Sequence, residues 1–203
     1  HYGDLWVPEV TGYVQQTKVG GIESEALVVE EIVAHFRDYL LTDMSGVSGT
    51  SGHVGEGSGI ALVLGPGSTC LAIKRSLGMQ GTLLGCDVLM PDGSVREDLA
   101  AAELLDIARK YSAHLVLSFT RHQGFLLGRG NQQLSAELIK CLGWPEQVSI
   151  VGSRTKLATL DNRPLLVDSG DAALDLQLCG LVSILAGYDD RLLYRVNTDF
   201  VAD

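Results

Sequence analysis

What this sequence lacks narrows it first. No apolar run approaches the roughly 20 residues that a membrane-spanning helix needs. The longest, Ile60 to Leu64, suits a strand. The four cysteines, Cys70, Cys86, Cys141 and Cys179, form no C-x-x-C pair and show no tight spacing. They therefore read as reduced, partly buried thiols rather than as a zinc site or a disulfide framework, which points to the cytoplasm. A basic surplus is also missing. The formal net charge is −10, which argues against a general nucleic-acid binder. It leaves room for a phosphate ligand, because backbone N–H groups and one or two cations hold an anion even inside an acidic protein. The opening segment HYGDLWVPEV has no basic stretch followed by an apolar one, so it is no secretory leader. The first residue is not Met, which reads as a fragment or a trimmed form of a longer protein. Walker A and G-x-G-x-x-G motifs are absent, as are a nucleophile–base pair, a metal-ligand cluster and an internal repeat.

What is present fits one domain, or one with a small appendage: 203 residues, 46% of them apolar. Residues 8 to 18 carry β-branched and aromatic side chains and read as a strand. Ile22, Ala26, Val29, Ile32, Val33, Phe36 and Leu40 recur at spacings of three and four, which predicts a helix over 23–41. Acidic residues crowd its start, where the helix dipole favours anions. Residues 45–59 are rich in Gly and Ser and read as a solvated loop. The organisation expected is thus a strand and helix over 1–44, packing on the main domain, then the loop 45–59, then an α/β domain over 60–203.

Within that domain apolar strands alternate with amphipathic helices. Strands are expected at 60–65, 81–90, 113–119, 147–152 and 164–168, with two more, LVSILAGY and RLLYRV, at the end. Helices are expected at 68–78, 96–111, 134–143 and 153–160, with a further one in SGDAALDLQLCG. Residues 120–133 read as irregular. The pattern implies βαβ units on a mostly parallel sheet.

Three loops carry the chemistry. In LGPGSTCLAIKRSLG a strand runs through Gly65, Pro66 and Gly67 into a helix opened by Ser68 and Thr69. Glycines allow close backbone approach, and a helix start offers free N–H groups to an anion. The same residues would also serve as a plain capped turn. The segment RHQGFLLGRGNQQLS sets Gln123, Arg129, Asn131 and Gln132 among Gly124, Gly128 and Gly130. Arg grips phosphate, and Asn and Gln read base edges or sugar hydroxyls. A polar loop that satisfies itself is the alternative. In RPLLVDSGD, Asp168 and Asp171 could take ribose hydroxyls or a hydrated Mg²⁺, or Ser169 or Asp171 could cap a helix. Asp87, in GCDVL, is a further ligand candidate. Lys156 could reach a phosphate, although a solvated helix-surface lysine is the commoner case. No catalytic residue can be named.

At LGPGST, TLLGCDV, QGFLLGRGNQQLSAELI and KLATLDNRPLLVDSGD, with YVQQTKVGG near the start, the sequence resembles the ATP-NAD kinase family, in particular its AcoX-type branch. The resemblance covers most of residues 11 to 196, and GRGNQQLS is its most specific stretch. It implies transfer of a phosphoryl group from ATP or polyphosphate to the adenosine 2′-hydroxyl of NAD, with a divalent metal such as Mg²⁺. The family's Gly-Gly-Asp-Gly-Thr loop, whose Asp serves as base and metal contact, does not occur. The chain therefore looks like the C-terminal portion, partnered by a catalytic N-terminal lobe that it does not contain. The family's C-terminal domain is β-rich, whereas these residues alternate β and α. Two rivals remain: a sugar-phosphate isomerase or CoA-transferase-like enzyme with Asp87 as base, and a non-catalytic nucleotide-sensing module. Expected partners are a nucleotide and the absent lobe, with neither nucleic acid nor membrane. A homo-oligomer is compatible with either.

Overall fold

The computed structural model describes residues 25–44 and 59–198. The strand expected over 8–18 and the loop expected over 45–59, apart from Gly59, lie outside them. Helix α1 (Glu25–Met44) is the amphipathic helix that the apolar spacing predicts. After it come β1 (Ile60–Leu64), α2 (Ser68–Ser76), β2 (Asp87–Leu89), β3 (Val95–Arg96), α3 (Ala101–Lys110) and β4 (Ser112–Leu117). Then follow β5 (Phe125–Leu127), α4 (Ala136–Leu142), β6 (Val148–Val151), α5 (Arg154–Ala158), β7 (Leu165–Val167), α6 (Ala172–Leu178), β8 (Gly180–Leu185) and β9 (Arg191–Thr198).

The fold is α/β, built on one nine-stranded sheet in the order β3-β2-β1-β4-β6-β8-β9-β7-β5. Five pairings are parallel and three antiparallel, so the expectation of a mostly parallel sheet holds only in part. Strands β1, β4, β6 and β8 run together as βα units give them. The tight β8–β9 connection then reverses direction, and β7 and β5 follow β9. The sheet is also curled. The Thr120 N–H donates to Phe125 O of β5 at 3.0 Å, and Thr120 lies three residues past β4, a reach of about 11 Å at most. Five strand spacings laid flat would separate β4 from β5 by about 24 Å.

Side chains alternate across the sheet. Ala61, Val63, Leu115, Leu117, Ile150 and Ile184 face one core, with α3, α4 and α6. Leu62, Leu64, Val116, Val151 and Leu185 face the other, where Val28, Ile32, Val33 and Phe36 of α1 and Ile73 of α2 cover them. Three departures from the expected elements have local causes. The strand expected over 81–90 shrinks to β2, because residues 82–85 wrap around a buried carboxylate described below. The helix expected over 96–111 starts only at Ala101. Val95 and Arg96 pair with β2, and Asp98 adopts a φ of 51°, which no helix accommodates. Glu103 then reaches back to the Ala100 N–H at 3.0 Å, half of a capping box. Strand β5 lies inside the segment read as irregular. It is three residues long and bounded by Gly124 and Gly128, too short to show a period.

Candidate functional site

The carboxyl ends of β1, β4 and β6 lie side by side, the place where parallel α/β sheets bind ligands. At the end of β1 the chain passes through Gly65, whose N–H donates to Val116 O at 3.0 Å, and reaches Gly67. Gly67 has φ 107°, a value that L side chains rarely adopt, and a Cβ there would meet nothing. It is the N-cap of α2, and no side chain caps the helix. Ser68 is exposed, whereas Thr69 is 5% exposed. The helix therefore presents an uncapped first turn beside an exposed hydroxyl.

Beneath that turn sits Lys156, 4% exposed. It belongs to α5, which Ser153 opens by accepting the Lys156 N–H at 3.0 Å. The Lys156 ammonium donates to Thr69 Oγ1 at 3.0 Å and to Ser118 Oγ at 2.7 Å. Its Nζ also lies 4.9 Å from the centre of the Phe119 ring, a face that favours a cation. Ser118 Oγ in turn donates to Val151 O at 2.9 Å. One cation thus ties together residues that follow β1, β4 and β6.

A second buried lysine lies on α2. Lys74 and Asp87 are both fully buried, with Nζ and Oδ2 2.8 Å apart. Lys74 also donates to Thr82 O and Gly85 O, each at 2.9 Å. Asp87 Oδ1 accepts from Thr82 Oγ1 at 2.7 Å and from the Asp98 N–H at 2.8 Å. Oδ2 also accepts from the Thr82 N–H at 2.7 Å. Burial alone would push this carboxyl up. The Lys74 ammonium and the Asp98 and Thr82 donors outweigh it, and the carboxyl titrates below the usual range. Two donors on each oxygen saturate a carboxylate. Asp87 holds the protein's own chain together, and its position corrects its reading as a ligand group.

Asn131 is 7% exposed and used internally: Oδ1 accepts from the Gly128 N–H and Nδ2 donates to Leu126 O, both at 2.8 Å. Arg129 is exposed, with its guanidinium 4.9 Å from the centre of the Phe125 ring. Gly130, Gln132 and Gln123 are exposed, and the Gly124 N–H closes a turn onto Thr120 O at 2.9 Å. Contact with the first loop runs through Leu134, whose Cδ1 lies 3.9 Å from a Cβ built on Gly65, while Gln133 touches Cys86 and Asp98 on either side of β2 and β3. Gly128, at φ 108°, packs so tightly on Asp168 that a Cβ would fall 2.5 Å from its carbonyl oxygen. The two loops after the neighbouring strands β5 and β7 are thereby locked together.

Asp171 caps α6, accepting from Ala173 N at 3.1 Å and Leu174 N at 3.0 Å, and its other oxygen pairs with Lys140. That lysine, with the two amides, lowers its pKa. The cap, not a ligand, is what the structure assigns to it. Asp168 is half-buried beside Ser169, whose N–H donates to the buried Asp175 at 2.9 Å. Among the described residues no group of three or more His, Cys, Asp or Glu could hold a metal ion. Also among them, no helix is long and apolar enough to cross a membrane.

Residues 58–196 match the family described as the ATP-NAD kinase C-terminal domain. This chain belongs to that family. The match spans β1 to β8, all but the last two residues of β9, and the five helices from α2 onward, so every strand-end group described above belongs to the NAD kinase C-terminal domain. Membership makes the protein NAD kinase-like, a transferase in kind. Neither the curated proteins nor the solved structures yield a match to the chain. Within this NAD kinase C-terminal domain, Ser118 and the burial of Lys156 are the features that sequence reading misses. A Gly-Ser turn with Lys three residues past the Ser, directly after a strand, is the signal that marks the lysine.

Proposed function

We propose that this domain supplies the phosphate-holding end of an enzyme that phosphorylates NAD to NADP from ATP or polyphosphate, in the cytoplasm, together with an N-terminal lobe. The observation that carries this reading is the uncapped start of α2 at Gly67 and Ser68, above the buried Lys156. Phosphoryl transfer depends on positioning and on neutralising charge over the moving group. A helix start with glycine entry supplies N–H donors without a side chain in the way. Lys156 adds a cation close behind, and the exposed Ser68 adds a hydroxyl. Arg129 and Gln132, exposed on the second loop, are the donors proposed for ribose or nicotinamide groups. Free cysteines, among them the exposed Cys141, accord with a reducing compartment.

The metal that the family implies does not fit these residues. Asp171 is committed to its cap and to Lys140, and no described cluster offers a ligand set. Metal binding and proton removal from the 2′-hydroxyl are therefore assigned to the N-terminal lobe. The isomerase alternative relies on Asp87 as a base, which its four donors disfavour.

The test is calorimetric titration with NAD, NADP, ATP and tripolyphosphate. Gly67→Val puts a branched side chain at the helix entrance. It should weaken phosphate-ligand binding at least tenfold, about 1.4 kcal/mol. A folded Gly67→Val protein with wild-type affinity removes the site. Tight NAD binding with no turnover, even with the catalytic lobe supplied, would instead favour the sensing module.

A further inference from the structure

The hydrogen-bond directions around Lys156 can be fixed by elimination. An ammonium has three donors and no acceptor, so in both of its contacts the lysine gives the proton. Ser118 accepts from Lys156 and gives its own proton to Val151 O. Both of its roles are then filled. Thr69 accepts from Lys156 in the same way, but among the described residues nothing accepts the Thr69 proton. A hydroxyl that takes a bond from a cation becomes a stronger donor, because each bond in a chain polarises the next. Thr69 is also the second residue of α2, beside the uncapped turn.

We infer that Lys156 is a positioning residue for phosphate binding, acting through Thr69. The ammonium fixes the Thr69 rotamer and turns its hydroxyl proton toward a phosphoryl oxygen held at the start of α2. The ligand class is an oxyanion of the phosphate ester or anhydride type. The inference rests on the proposed phosphate site and deepens it, since it names the side-chain donor and the group that aims it. The geometry also explains the burial. Lys156 sits 87 positions from Thr69 in sequence and 38 from Ser118, so the aim of this donor is set only once β1, β4 and β6 are side by side. Gly152 contributes: a Cβ there would fall 2.5 Å from the Phe119 ring, the ring that faces the ammonium.

The experiment uses tripolyphosphate and ATP as probes in calorimetry on the full chain, with thermal melts of every variant. Thr69→Val keeps shape and removes the donor, whereas Thr69→Ser keeps the donor. The first should lose about tenfold or more in affinity for both probes, and the second should stay within about twofold of wild type. Lys156→Met should lose at least as much affinity as Thr69→Val, since it removes both the aim of the hydroxyl and the charge behind it. The double variant should be no weaker than Lys156→Met alone, the signature of two residues acting as one unit. A folded Thr69→Val that binds like wild type overturns the inference, and so do losses that add in the double variant. Should Lys156→Met fail to fold, the Thr69 pair still decides, because valine for threonine leaves the packing in place. Wild-type protein that binds neither probe would instead defeat the phosphate site itself.

Discussion

Two lysines are buried in this domain, and their surroundings give them different work. Lys74 faces a carboxylate, and all four acceptor positions of that carboxylate are taken by the protein's own groups. Lys156 is bonded to two hydroxyls, one of which keeps a proton that no described residue accepts. The first arrangement is closed and holds residues 82–98 against α2. The second has a donor left over at the carboxyl ends of three parallel strands. A buried cation is therefore no functional signal by itself. What matters is whether the groups around it still have a hydrogen bond to give.

The largest expected effect separates the pair. Lys74→Met leaves Asp87 buried and short of a partner, so it should cost about 3–5 kcal/mol in urea unfolding. The bonds Lys156 makes to Thr69 and Ser118 end on neutral hydroxyls, which leave no charge buried when the ammonium goes, so the loss traced to these bonds in Lys156→Met should be clearly smaller in the same measurement. Equal losses would break the comparison. A second contrast sets Gly128 against Gly67, which share nearly the same φ. Alanine at either position meets backbone strain of about 1–3 kcal/mol. At Gly128 it also collides with the Asp168 carbonyl, adding about 1–3 kcal/mol of overpacking. Gly128→Ala should therefore be the less stable by denaturant midpoint. The pair would lose its meaning if Gly67→Ala proved the worse folder.

The smallest effect is in pH. Burial holds the His114 pKa below its ordinary 6.5, so the unfolded chain takes a proton before the native one does. Stability from this group is complete above about 6.5 and drains away as pH falls toward the native value. Asp87, also depressed, acts lower, with its contribution present above about 3.9 and lost as pH drops through its native pKa. Melting temperatures from pH 8 to pH 3 should thus fall in two stages. His114→Gln should remove the upper stage, and Asp87→Asn should shrink the lower, to which the capping carboxylate of Asp171 also contributes.

Much of this architecture can be read from residue order, and the unread parts share a cause. Helix α1 and the β1-to-α2 turn are local: apolar spacing and two glycines suffice. Asp171 reads as a cap because its partners lie two and three residues away. Strand β3 hides because Val95 and Arg96 look like the start of a helix until β2 is there to pair with them. The reversal at β9 depends on which edge the last strand finds, and no periodicity encodes that. Asn131 has the composition of a nucleotide reader, yet its amide bonds its own loop. Lys156 and Thr69 become neighbours only after chain closure. The family likeness came from short loop motifs, which survive because each is a backbone shape more than a set of contacts.

The place of β9 in the sheet has a consequence for how the protein is made. It is the last of the described strands, yet it sits between β8 and β7 and forms the sheet's only described link from β8 to the β7–β5 pair. As the chain leaves the ribosome, β5 and β7 emerge early and wait without the strand partner that joins them to β8. At about 5–20 residues per second, the 23 residues between the end of β7 and the start of β9 take seconds to appear. During that interval Leu165 and Val167, both fully buried once β9 is in place, remain open to solvent and to chaperones.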